Sequence, residues 1–230
     1  MLYALRHPLA LVALLAGFLV GVVAHGVAQA VVARRMGERF LGPAGRARLD
    51  PRRHLDPFGA IAATLAGPGW GATMEFDRLR RCTPRRYAVA VLAGPLANLV
   101  LAAAGVAGYL LAGGPRYVLG GPVVAAGVHG SVQPGPAGQT LLLLFGIENL
   151  AMALLGLVPL PPLDGGRVLF ALGPRSAGWQ RAEYVLGEQN WGIVAVLVLL
   201  VLPLGGGLPP LLFLIDQVGS LLLHVVGGGG

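Results

Sequence analysis

Long apolar runs, broken by short arginine-rich stretches, set the plan of this chain. A helix that crosses the hydrocarbon core of a bilayer needs about 20 mostly apolar residues. Leu9–Ala33, Tyr87–Ala112 and Gln139–Leu160 reach that length, and Trp191–Leu204 and Leu208–Val226 approach it. The last two are short or interrupted by Pro203 and the run Gly205–Gly207, so they read as two spans or as one hairpin that fails to cross. A shorter apolar stretch, Phe58–Ala72, contains Gly59, Gly67, Pro68, Gly69 and Gly71 and lies between two arginine clusters. If both clusters share one side, it must enter and leave from that side, and a re-entrant hairpin does this better than a helix. Non-helical backbone at membrane depth needs protein or water to cover its polar groups, so the stretch points to a cavity. The pattern predicts an all-α fold: a polytopic transmembrane helix bundle of about four to six membrane segments with one re-entrant segment. It predicts a single domain over residues 1–226 and a disordered glycine tail, Gly227–Gly230. Leu9–Val23 superficially resembles a signal peptide, but the apolar pattern runs on past His25 to Ala33 without an A-x-A-like site, which reads as a retained span.

Composition agrees. The 230 residues are 55% hydrophobic and 12% charged, against about 25% charged in soluble domains. All 17 basic residues are arginine, and the formal net charge is +7. Seven arginines lie between Arg34 and Arg53 and five between Arg78 and Arg86. Such clusters mark cytoplasmic loops, placing the N-terminus and Gly113–Gly138 outside and Pro161–Glu188 inside. Nucleic-acid binding is excluded, because no interleaved aromatics or recognisable module accompany the charge. Cys82 is the one cysteine, which rules out an intrachain disulfide or a cysteine-based zinc site. Cys82 and Trp191 are expected at a membrane interface.

Polar side chains inside apolar spans are expensive and usually functional or paired. His25 and Gln29, four apart, share one face of the first span. His25 lies nine residues before Arg34, roughly 13 Å from that end of the helix. Asp164 is presented by the turn P-L-P-P-L-D-G-G-R, Pro159–Arg167, at the same end. Alone, it reads as a cap for the following helix. Glu148 lies within the third long span, at a depth similar to His25, either paired with it or protonated on a carbonyl. His54 reads as an interfacial histidine in an arginine-rich loop or as a group folding back to the cavity. Asp216 is expected near an interface, and Asn98 and Asn149 have packing roles available between helices.

The motifs occur in a definite order. His25-Gly26-Val27-Ala28-Gln29-Ala30, continuing through Ala33-Arg34-Arg35-Met36-Gly37, resembles the H-E-x-x-H-A…A-R-R-x-G helix of the site-2 proteases, which are intramembrane zinc metalloproteases. His54-Leu55-Asp56-Pro57-Phe58-Gly59 resembles the H-x-D-P-x-G element of one prokaryotic branch, and Ala93–Asn98 the A-G-P-x-x-N helix start. Asn149 followed by Pro159–Arg167 resembles the N…P-x-P-P-L-D-G-G-R signature. The resemblance runs from His25 to Arg167.

It implies a zinc site in which two histidines one helical turn apart and a distant carboxylate hold the metal, with a glutamate as general base. Carried over, His25 and Asp164 are ligands, Asn98 and Asn149 border the cavity, and Asn149 holds substrate backbone. The glutamate position is Gly26, however, and the second histidine position is Gln29. Losing a general base typically lowers the rate about 10²–10⁴-fold, and a neutral amide is a weak zinc ligand beside imidazole. The leading expectation is a non-catalytic member, with zinc absent or weakly held, that binds or regulates membrane-protein segments in the bacterial plasma membrane. The alternatives are an unconventional zinc endopeptidase, with His54 or Glu148 as the substitute group, and a small transporter or channel using Glu148 and Asp216. No inverted repeat accompanies the last reading.

Overall fold

The computed structural model describes residues 1–37, 49–73, 83–133, 135–203 and 207–227. Among the described residues four helices are long and apolar enough to cross a membrane: α1 (Pro8–Arg35), α3 (Pro84–Leu111), α5 (Ala137–Gly156) and α9 (Pro210–Gly227). Shorter ones are α2 (Pro57–Ala66), α4 (Val123–Val128), α6 (Asp164–Leu172), α7 (Ala177–Glu183) and α8 (Trp191–Val201). The segments running from α7 to Glu188 and along α8 make a pair bent by 68°. The bend lies at Asn190, in the left-handed region at φ 61°. Helix starts follow local chemistry. Proline opens α1, α2 and α3, where its missing N–H is not needed. Thr83 caps α3 by accepting from the Arg86 amide at 3.4 Å, and Arg34 and Arg35 close α1, where cations oppose the helix dipole.

α1, α3 and α5 pack closely at the centre of the bundle. Small residues allow the approach, as in membrane bundles generally. A Cβ on Gly105 of α3 would stand 2.8 Å from the Gly146 Cα of α5, so these helices meet backbone to backbone. Gly17 and Gly21 of α1 receive Glu148, Asn149 and Met152 of α5 in the same way. Leu143, Leu144, Ile147 and Leu155 of α5 are fully buried, Ile147 against Gly127 of α4.

The segment expected to be re-entrant does fold back on itself, but its outgoing limb is the helix α2 rather than irregular backbone. The reason is local. Asp56 caps the helix by accepting from the Gly59 amide at 2.7 Å, Pro57 starts it, and an alanine-rich run continues it. Gly67, at φ 106°, reverses the chain. An extended limb returns to a bridge between Leu55 and Gly71, closed by the Ala72 amide donating to the His54 carbonyl at 2.7 Å.

Asp216 is 2% exposed and engaged inside the bundle. It accepts from the Ala125 amide at 2.8 Å and from Ser220 Oγ, which in turn accepts from Val123 N, so α9 caps α4. Gly227 is the last residue of α9, and its carbonyl accepts from Arg116 Nη1 at 3.0 Å. Residues 228–230, most of the expected tail, lie outside the described residues, as do Cys82 and the core of both arginine clusters.

Candidate functional site

Helical spacing puts His25 and Gln29 of α1 on one face, and the proline-rich turn before α6 brings Asp164 to it. The two glycines after Asp164 explain how. A Cβ on Gly165 would strike the Leu157 carbonyl, and one on Gly166 the Leu160–Pro161 backbone, so α6 starts flush against the turn. Gly94 of α3 serves the same purpose opposite, because a Cβ there would run into the His25 imidazole. Without these glycines the three strands of chain could not converge.

They converge on one point. His25 Nε2 stands 2.7 Å from Asp164 Oδ2. Gln29 Nε2 donates to Asp164 Oδ1 at 3.0 Å and to the Val91 carbonyl at 2.9 Å, and it lies 3.1 Å from His25 Nε2. An amide has two hydrogens, and the carboxylate and carbonyl take both. His25 Nε2 is then the donor to Asp164, leaving Nδ1 to accept from Asn98 Nδ2 at 3.4 Å. Arg167 Nη1 adds a contact to Asp164 Oδ1 at 3.3 Å, and its guanidinium lies over the Tyr87 ring at 5.7 Å. Burial by itself would raise the Asp164 carboxyl above the ordinary range. The adjacent His25, Arg167 and the Gln29 donor outweigh that and hold it below.

The position expected to lack a base has an unexpected occupant. His54 is 2% exposed, not an interfacial histidine, and its ring lies where a side chain on residue 26 would go. A Cβ built on Gly26 would run into His54 Nδ1 and stand 2.9 Å from Cε1. Glycine on α1 and histidine from the loop before α2 thus form a complementary pair. The remaining cavity is about 20 Å³, lined by His25, Gln29, Trp70, Asn98 and Asp164 among others. That is room for about one water.

The other candidates lie apart from this point. Glu148 is fully buried beside Gly17, two turns from His25, so of the two alternatives held for it the His25–Glu148 pair is absent. Neither Glu148 carboxyl oxygen has a hydrogen-bond partner among the described residues. Asn149 Nδ2 ties α5 to α1 by donating to the Gly17 carbonyl at 3.3 Å, and it also donates to the Phe145 carbonyl of its own helix at 2.9 Å. Sequence reasoning missed Val91 and the positioning glycines 94, 165 and 166, as well as the hold of Arg167 on Asp164. The motif strings contain most of them, but only packing gives them a role.

Do these residues fit a catalytic zinc? Ligand atoms about 2.0–2.1 Å from a tetrahedral zinc lie about 3.3 Å apart. Here the Asp164 carboxylate is closed on His25 Nε2 and the Gln29 amide by hydrogen bonds of 2.7 and 3.0 Å, with an amide, a weak zinc ligand beside imidazole, in third place. Among the described residues no group of three or more His, Cys, Asp or Glu side chains could hold a metal. The arrangement supplies two ligands of the three that catalytic zinc ordinarily takes, so it does not fit.

Residues 13–202 match Peptidase family M50, the site-2 protease family. The chain belongs to this family. This M50 member is 35% identical over 206 residues to a Bacillus subtilis (strain 168) protein named "Putative zinc metalloprotease YwhC", covering 87% of the chain and 86% of that relative. It is 28% identical over 195 residues to a Mycolicibacterium smegmatis protein named "Putative zinc metalloprotease Rip2", covering 82% of the chain and 66% of the relative. No solved structure matches. Family and apolar helices together make it an integral membrane protein, and zinc is what the family leads one to expect.

Proposed function

We propose that this M50 member is a pseudoprotease of the bacterial plasma membrane that binds or regulates membrane-protein segments, with its arginine-rich loops cytoplasmic. The observation that carries the reading is the Gln29 amide, donating to Asp164 and Val91 where a second histidine would offer a lone pair. One side chain thereby joins α1, α3 and α6 by hydrogen bonds, doing mechanically what a shared metal would do. The bond to the Asp164 carboxylate stabilises by about 1.5–3 kcal/mol and the neutral one to Val91 by about 0.5–1.5 kcal/mol. The hydrogen bonds join the three helices with no metal in the set, and among the described residues no glutamate stands beside them to activate water. The cavity beside Asp164, about 20 Å³, likewise supports the reading.

Purification of the full chain, followed by metal analysis and a cleavage assay on membrane-helix substrates, tests this. Less than about 0.1 zinc per chain and no cleavage are expected. Stoichiometric zinc with proteolysis, lost in His25→Ala and Asp164→Asn, would overturn the pseudoprotease reading. The sidedness is tested by labelling cysteines introduced at positions 46 and 80, which should react from the cytoplasmic side alone.

One observation favours a second reading, an unconventional zinc endopeptidase. His54 places an imidazole where the missing glutamate would project, and an imidazole is a competent general base. If this is right, His54→Ala abolishes whatever cleavage the wild type shows. The transporter reading loses its second relay group, since Asp216 is committed to capping α4.

A further inference from the structure

Away from the His25–Asp164 point, α3 and the α6–α7 corner enclose two adjoining cavities of opposite character. The first, about 680 Å³, opens at the start of α3 and is lined by Arg85 and Arg175 with Tyr87, Phe170 and Trp179. Among the described residues its wall holds two arginines and one acidic residue, Glu183. The second, about 490 Å³, is almost wholly apolar and runs between Leu92 of α3 and Val168 and Leu169 of α6 to Leu157 and Pro159. The two share Leu172, Gly173, Pro174 and Trp179 as a common wall. Phe170 and Trp179 brace that wall, with ring centroids 5.1 Å apart.

The order of the cavities along α3 matters. Arg85 and Leu92 are seven residues apart, about 10 Å along the helix axis. α3 is one of the four helices able to cross a membrane, and Arg85 sits in its first turn. Going inward from the helix end, a ligand therefore meets cations and aromatic rings first and aliphatic carbon next. Aromatic side chains favour the headgroup level of a bilayer and arginines bind lipid phosphate there. Leu157, Leu169 and Leu172 leave 42%, 40% and 54% of their surface exposed along the apolar part, as a groove open to lipid would.

The geometry points to a binding site for one anionic phospholipid, its phosphate between Arg85 and Arg175 and an acyl chain lying along Leu92, Val168 and Leu169. A soluble phosphate would use the first cavity only. A zwitterionic lipid would fill both but gain less from the arginines. The site does not rest on the pseudoprotease reading: Tyr87 lies under the Arg167 guanidinium, but the arginines and the apolar groove that would hold the lipid take no part in the His25–Asp164 network.

Native mass spectrometry of the full chain in neutral detergent tests it, with equimolar phosphatidylglycerol and phosphatidylethanolamine as probes. One phosphatidylglycerol should be retained in preference by fivefold or more. Each basic side chain near a membrane surface contributes about a fivefold affinity factor. Arg85→Gln and Arg175→Gln should therefore each lower that preference about fivefold, while Arg52→Gln, outside the lining, leaves it unchanged. Leu169→Trp, which fills the apolar groove, should lower retention of both lipids. A melting curve for each variant separates loss of the site from loss of the fold. Equal retention of the two lipids, or an equal effect of Arg52→Gln, would overturn the proposal. So would arginine-dependent binding of inorganic phosphate that Leu169→Trp leaves intact together with lipid retention, which would mark a soluble-anion site.

Discussion

Restoring the missing glutamate should damage the protein while His54 remains. Gly26 has no free volume above it: a Cβ there would collide with the His54 ring, which is 2% exposed. The ring cannot withdraw cheaply, because the His54 carbonyl accepts from the Ala72 amide at 2.7 Å and the neighbouring Leu55 pairs with Gly71 at the base of the α2 hairpin. Gly26→Glu must therefore displace a buried imidazole and strain that base. Overpacking of this kind costs about 1–3 kcal/mol. For a chain of this size that lowers the melting temperature by about 2–12 °C. His54→Ala alone removes a buried ring and should also destabilise, by about 0.5–3 kcal/mol. Together the two changes should be less harmful than their sum, since the alanine vacates the space that the glutamate needs. The assay is a double-mutant cycle of thermal unfolding in detergent, using wild type, Gly26→Glu, His54→Ala and the double variant. A coupling of about 1 kcal/mol or more is expected for groups in such contact. Effects that add to within about 0.5 kcal/mol would refute the complementarity of residues 26 and 54. The result also bears on reactivation, because Gly26→Glu with Gln29→His should need a smaller residue at 54 before it gains a base in the right place.

Gln29→His on its own should raise zinc content towards one per chain through His25, the new imidazole and Asp164, without cleavage; metal analysis before and after chelator checks this, and no gain in zinc would show that the site cannot open. Asp164→Ala should cost about 3–5 kcal/mol, leaving the Gln29 and Arg167 donors buried without their acceptor, whereas Asp164→Asn, which keeps an acceptor, should cost clearly less by thermal melting. Asp216→Ala should weaken α4 by about 0.5–2 kcal/mol by removing its cap, and hydrogen exchange should rise at the amides of Val123 to Ala125 while α5 stays protected.

Much of the architecture was legible in the chain itself. Apolar length and proline placement fixed α1, α3, α5 and α9 to within a few residues, because a span must satisfy its own backbone hydrogen bonds whatever its neighbours do. The order of the short motifs identified the family, and two substitutions, Gly26 and Gln29, announced altered chemistry without any coordinates. Tertiary structure alone decided what stands in the gaps. A sequence shows that Gly26 lacks a side chain; only packing shows that His54, 28 positions later, occupies the vacated volume. Depth along a helix made Glu148 look like a partner for His25, but depth does not fix which helix face meets which neighbour. Rotation about the α5 axis sends Glu148 to Gly17 instead. The role of Asp216 was hidden for the same reason: it accepts from an amide of α4, a six-residue helix too short to announce itself by periodicity. Local hydrogen bonding and hydrophobic length are properties of a segment and can be read from it, whereas the filling of a space depends on several segments arriving together.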